Sequence, residues 1–147
     1  MSNGTKGTIE EVSTNKECRQ FCAKIAESGF EDDRSETPGI LLMNAEVPHR
    51  LNVEFGQQIM AGELGDNILA RGLINLTTLP PGTIIQIEEK VELIVRAKAD
   101  HYRKKFPHYS EEMLAYLEEW GGTICFVKKG IGTLVCDDQT ISIVYVS

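Results

Sequence analysis

The sequence predicts a mainly β protein with a few helices, of the α+β class, whose strands close into a small barrel. Three observations carry this. From Thr123 to Val146 short β-branched runs alternate with turn signals at close spacing. From Ala61 to Ile87 two sets of turn residues bracket apolar residues and lead into the alternating run Ile84, Ile85, Gln86, Ile87. One amphipathic helix is clearly delimited, between Ser110 and Gly121. With 147 residues, 41% hydrophobic and 25% charged, the chain is long and apolar enough for one core, so residues 1–147 are expected to form a single domain.

The elements follow in order. Thr8 to Ser13 reads as a short strand. Thr14 with Glu17 forms a capping box, predicting a helix through Ala26 or Glu27 that stops at Gly29 and places Cys18, Phe21, Cys22 and Ile25 on one face. Glu31 to Gly39 is a polar loop, and the Ile-Leu-Leu-Met run within Gly39 to Ala45 is a buried strand. From Val47 to Met60 strand and helix signals overlap, because Leu51, Val53 and Phe55 alternate while Phe55 to Met60 also fits a helix. Thr83 to Glu88 pairs with Val91 to Ala97 across a Glu89-Lys90 turn. Ser110 caps the next helix, Glu111 and Glu112 complement its positive end, and Met113, Leu114, Leu117 and Trp120 form its core face. Thr123 to Lys128, Gly132 to Val135 and Thr140 to Val146 are the closing strands.

The four cysteines, Cys18, Cys22, Cys125 and Cys136, make neither a zinc-type Cys-x-x-Cys pair nor a dense disulfide framework, so free thiols are expected. Cys18, Cys22 and Cys125 read as small core residues, whereas Cys136 beside Asp137 and Asp138 reads as reachable. No apolar run approaches the roughly 20 residues of a membrane span. The start of the chain lacks a secretory signal, so a cytoplasmic location is the expectation and a membrane partner is not.

A formal net charge of −7 argues against nucleic acid, whose phosphates are bound by clustered Lys and Arg. Charge is nonetheless uneven. Between Arg96 and Lys105 stand Arg96, Lys98, Arg103, Lys104 and Lys105 against Asp100 alone. A basic island in an acidic chain suits a small anion, because field focusing is local while the surface as a whole repels a polyanion. The same stretch also reads as a solvated charged loop. Gly130-Ile131-Gly132 links two predicted strands and is a hairpin turn rather than a nucleotide loop.

The run Gly62, Gly65, Asp66, Asn67, Ile68, followed by Gly72-Leu73 and then Leu79, Pro80, Gly82 and Thr83, resembles the central stretch of MOSC domains, the family named after the C-terminal domain of molybdenum cofactor sulfurases. Gly122, Val127, Gly130 and Asp137 or Asp138 fit the same family's closing strands, so the resemblance spans Ala61 to Ile143. It implies a MOSC-like barrel, a molybdenum-pterin cofactor or related phosphorylated anion as ligand, and a molybdoenzyme or cofactor-biosynthesis protein as partner. In one subgroup the strand matching Val91 to Ala97 ends in Gly-Lys-Glu-Cys-His, which aligns with Ala97, Lys98, Ala99, Asp100 and His101. Asp100 stands at the family cysteine. A carboxylate forms no persulfide and offers molybdenum a hard oxygen in place of a soft thiolate.

The expected ligand-binding residues are therefore Asn67, Arg96, Lys98, His101, Arg103 and Lys104, with no thiol for sulfur transfer at Asp100 and no commitment to catalysis. Three alternatives stay open: a sulfur carrier using Cys136 or Cys125, a small metal site at Asp100, His101 and His108, and a non-catalytic interaction domain using Glu31-Asp32-Asp33 and Glu111-Glu112.

Overall fold

Strands, with their two-residue side-chain period, are the main regular structure of this chain. The computed structural model describes residues 4–14, 19–20, 22–31 and 39–144. Its strands are β1 (Lys6–Ser13), β2 (Arg19–Gln20), β3 (Cys22–Ala26), β4 (Gly29–Phe30), β5 (Ile40–Asn44), β6 (Ile68–Arg71), β7 (Ile84–Ile87), β8 (Val91–Lys98), β9 (Thr123–Lys129), β10 (Leu134–Cys136) and β11 (Thr140–Val144). Its α-helices are α1 (Glu46–Phe55), α2 (Tyr102–Lys105) and α3 (Glu111–Trp120), with a short 3-10 turn at Leu76–Thr78.

Seven strands close into a barrel in the order β11-β7-β8-β9-β5-β6-β1, with β1 returning to β11. Closure removes the unpaired edges that an open sheet would present. All neighbouring pairs are antiparallel except β5 and β6, which run parallel with Leu42 opposite Ile68. A parallel pair needs a crossover, and α1 lies on the connection between them. The expected hairpin forms as β7 and β8, with Ile87 opposite Val91. Glu88 and Glu89 take φ of 52° and 61° in its turn, the left-handed values that tight hairpin turns require.

β5 is buried on both faces, and its alternation feeds two cores. Ile40 and Leu42 point into the barrel with Ile9, Ile68, Ile85, Leu93, Cys125 and Ile141. Leu41 and Met43 point outward to Val47 and Leu51 of α1, to Leu64, Tyr102, and to Met113, Leu114 and Leu117 of α3. Each fully buried aliphatic side chain contributes roughly 1.5–3 kcal/mol relative to exposure, so the outer core fixes the helices, and the loops that carry them, against the barrel wall.

Of the stretch 47–60, the part up to Phe55 belongs to α1, which buries Val47, Pro48 and Leu51 and leaves Val53 68% exposed, and residues 56–60 form no regular element, so neither the strand alternation nor the helix expected from Phe55 to Met60 is formed. The Ser110 cap is present: its Oγ accepts from the Met113 amide at 3.2 Å. Among the described residues no helix is long and apolar enough to cross a membrane.

One element differs. The helix expected between Thr14 and Glu27 is replaced, in its described part, by β2 and β3, with β4 following a turn. β3 alternates exposed Cys22 and Lys24 with buried Ala23 and Ile25, and it pairs with β10 while β4 pairs with β3. Ladder pairing with a strand more than a hundred positions away overrides the local helical spacing of Cys22 and Ile25. Cys18, Phe21, Asp32, Asp33 and the last residues of the final expected strand lie outside the described residues.

Candidate functional site

The segment from Ala61 to Asn67 builds a compact turn that the chain following β8 meets at His101. The Gly65 amide donates to the Gly62 carbonyl at 3.0 Å, the Glu63 amide to the Met60 carbonyl at 3.1 Å, and the Gly62 amide to Asp66 Oδ2 at 2.9 Å. Leu64 is fully buried in the outer core and anchors the turn. Asp66 is also buried, and that burial raises its carboxyl pKa to about 6 despite backbone hydrogen bonds that favour the charged form.

Beyond β8, the Ala99 amide donates to the Gly122 carbonyl at 3.0 Å, Asp100 is exposed, and His101 turns back onto the glycine turn. His101 Nε2 donates to the Leu64 carbonyl at 2.9 Å, which assigns the proton to that nitrogen because a carbonyl can only accept. Burial lowers the His101 pKa, keeping the ring neutral at pH 7. A Cβ on Gly65 would stand 3.3 Å from that Nε2, so the glycine leaves room for the imidazole. Tyr102 packs beneath, its ring centroid 4.1 Å from that of His101 and its hydroxyl donating to the Gly121 carbonyl at 2.6 Å.

The expected site residues separate into two groups. Lys98, His101, Arg103, Lys104 and Lys105 follow one another on the segment that leaves β8 and forms α2, and His101 bonds it to the turn. Arg103 is neutralised in place: it donates bidentately to Glu111 at 2.6 and 2.9 Å and also bonds Glu118. Among the described residues, Lys98, Lys104 and Lys105 enter no ion pair. Arg96 lies over the Phe126 ring at 4.8 Å. Asn67 is buried, with Oδ1 accepting from the Leu41 amide at 2.9 Å and Nδ2 donating to the Ser13 carbonyl at 3.0 Å. Its side chain fastens β6 to its neighbours rather than facing solvent. The sequence identifies Asp66 only as a motif residue and gives Tyr102 no role at the site, although an acid directly after a turn glycine is a signal for a side-chain clasp on that turn.

The cysteine expectation is corrected in part. Cys22 and Cys136 form a disulfide, so neither is a free thiol. Cys125 is a free, buried cysteine inside the barrel, and burial pushes its thiol up to about 12. A sulfur carrier needs an accessible thiolate. Among the described residues no group of three or more His, Cys, Asp and Glu is arranged to hold a metal ion; His108 instead packs edge-on to Tyr109 at 4.8 Å. A depression of about 520 Å³ lies elsewhere, between β1, β7 and β11, lined by Lys6, Gln86, Glu88 and Ser142, and contains none of the expected site residues.

A seven-stranded closed barrel with its helices packed on the β5 side is a small MOSC-like fold. No family model and no curated protein matches the chain. Solved structures do. YuaD from Bacillus subtilis superimposes with a TM-score of 0.74 over 97% of both chains at 14% identity. YiiM from Escherichia coli superimposes with a TM-score of 0.65 over 97% of this chain and 71% of its own, at 15% identity. At such identities the likeness is one of fold.

Proposed function

We propose that this MOSC-like barrel binds a molybdenum-pterin cofactor or a related phosphorylated anion through Lys98, Lys104 and Lys105, with His101 fixing the segment that carries them, and that Asp100 leaves the site without a thiol for sulfur transfer. The observation that carries the reading is the His101–Leu64 bond, which ties the segment bearing Lys98, Lys104 and Lys105 to the glycine turn, with those lysines outside any described ion pair.

The donor set fits the phosphate of such a ligand. Ammonium groups supply charge-assisted hydrogen bonds to phosphate oxygens. The set does not fit the soft metal, since Asp100 offers carboxylate oxygen where a thiolate would bind molybdenum. Arg103 is held by Glu111 and Glu118, Arg96 stacks on Phe126, and Asn67 is internal, so these residues shape the surroundings instead of contacting the anion.

Calorimetric titration with pterin phosphate and with pyrophosphate at low salt tests the reading. Binding is expected to weaken at least about tenfold in a Lys98→Gln/Lys104→Gln/Lys105→Gln variant, and to fall as salt screens the exposed charges. Equal affinity in wild type and triple variant would overturn it.

A further inference from the structure

The Cys22–Cys136 bond joins the first residue of β3 to the last residue of β10, directly opposite each other in the antiparallel ladder, with Cα atoms 4.1 Å apart. Alternation decides which way it faces. Ala23 opposite Val135, and Ile25 beside them, belong to the barrel core, so one face of this small sheet is buried. Cys22 and Cys136 are on the other face, together with Lys24 and Leu134, which is 51% exposed. Cys22 is an exposed residue and Cys136 a half-buried one.

The sheet does not depend on the bond for its pairing. The Gly132 amide donates to the Ile25 carbonyl at 2.7 Å and the Ile25 amide to the Thr133 carbonyl at 2.9 Å. The Cys136 amide is independently held by Gln139 Oε1 at 2.8 Å. The sulfurs can therefore separate while β3 and β10 stay in register.

We propose that Cys22 and Cys136 form a thiol–disulfide exchange site that takes electrons from a dithiol partner. A thiolate of the partner attacks the exposed Cys22 sulfur, forming a mixed disulfide and releasing Cys136 as thiolate. The partner's second thiol then attacks its own sulfur in the mixed disulfide and releases Cys22. In all, two electrons and two protons pass from the dithiol to the protein, and the partner leaves as a disulfide. Leu134, 51% exposed on the face of the sulfurs and two positions from Cys136 on β10, gives a protein dithiol an apolar side chain to rest on. Cys125, inside the barrel, takes no part.

Alkylation of the air-oxidised full chain in native buffer, followed by mass mapping, tests this. Without reductant, Cys22 and Cys136 are expected in one cross-linked peptide. With dithiothreitol and no denaturant, both become alkylated, while Cys125 reacts only after unfolding. Alkylation of Cys22 and Cys136 without reductant, a bond from either to Cys18, or reduction that requires denaturant would overturn the site. A Leu134→Lys variant, which keeps both cysteines, is expected to be reduced about fivefold more slowly by a reduced thioredoxin-type protein and at an unchanged rate by dithiothreitol. Equal slowing by both reagents, or by neither, would overturn the docking role of Leu134.

Discussion

Asn67 and Leu41 exchange two hydrogen bonds: the Leu41 amide donates to the Asn67 side-chain oxygen at 2.9 Å, and the Asn67 amide donates to the Leu41 carbonyl at 2.9 Å. The Asn67 side-chain Nδ2 donates to the Ser13 carbonyl at 3.0 Å, and the Asn67 backbone carbonyl accepts from the Ser13 amide at 2.8 Å. One residue thereby ties the start of β6 to the end of β1 and the start of β5. The glycine turn ends at this knot, so the position of His101 depends on it through Leu64.

Replacing Asn67 with alanine strips both side-chain bonds and leaves a buried amide and a buried carbonyl without those partners. Each such group costs about 1–3 kcal/mol, so Asn67→Ala is expected to lower the unfolding free energy by about 2–6 kcal/mol. Urea denaturation checks this. A loss below about 1 kcal/mol would mean that the knot relaxes around the missing side chain.

Local signals made much of this fold legible in the sequence. The β7–β8 hairpin and α3 were readable because their pairing and capping partners lie within a few residues, as with Ile87 and Val91 or Ser110 and Met113. β3 was not, because what makes it a strand is β10, and a helical face through Cys22 and Ile25 fits the same letters. The basic island was legible as charge, but its division was not: Arg103 is taken up by Glu111 and Glu118, which α3 brings back alongside it. Asn67 was legible as a motif residue, but its burial and its bonds to Leu41 and Ser13 depend on strands distant in the chain and were not.

Asp66 gives stability a pH dependence. Its folded pKa of about 6 lies above the ordinary 3.8, chiefly through burial, so between these values the folded chain holds a proton that the unfolded chain releases. Stability is then highest below about pH 4 for this group, falls as pH rises toward 6, and levels off above it. The shift corresponds to about 3 kcal/mol at most. Asp66→Asn, which keeps an acceptor for the Gly62 amide, is expected to flatten that fall. Denaturation midpoints measured at pH 4.5 and pH 7.5 for both proteins decide it, and equal slopes would remove Asp66 as the cause.

Releasing Arg103 should strengthen anion binding. Glu111 and Glu118 hold its guanidinium in exposed ion pairs, and neutralising both would leave an additional cation on the segment that carries Lys98, Lys104 and Lys105. A Glu111→Gln/Glu118→Gln variant is expected to bind pyrophosphate several-fold more tightly at low salt, with the gain fading as the Debye length shrinks. Unchanged affinity at low salt would place the anion away from Arg103.

Gly122 and Gly82 both sit at φ of 94°, which isolates steric contact from backbone strain. A Cβ on Gly82 would meet nothing within 4 Å, whereas one on Gly122 would lie 2.3 Å from the Leu42 carbonyl oxygen. Gly82→Ala therefore carries only the left-handed penalty of about 1–2 kcal/mol. Gly122→Ala adds a backbone collision that nothing flexible can absorb. The Gly122 carbonyl also accepts from Ala99 and its amide donates to Thr77 Oγ1 at 2.7 Å, so displacing it pulls on the residue just before Asp100 and His101. Thermal unfolding of the two variants is expected to rank Gly122→Ala lower by at least about 2 kcal/mol, with weaker anion binding in that variant alone. If the two variants melt together, the close approach of Gly122 to β5 does not constrain the end of β8.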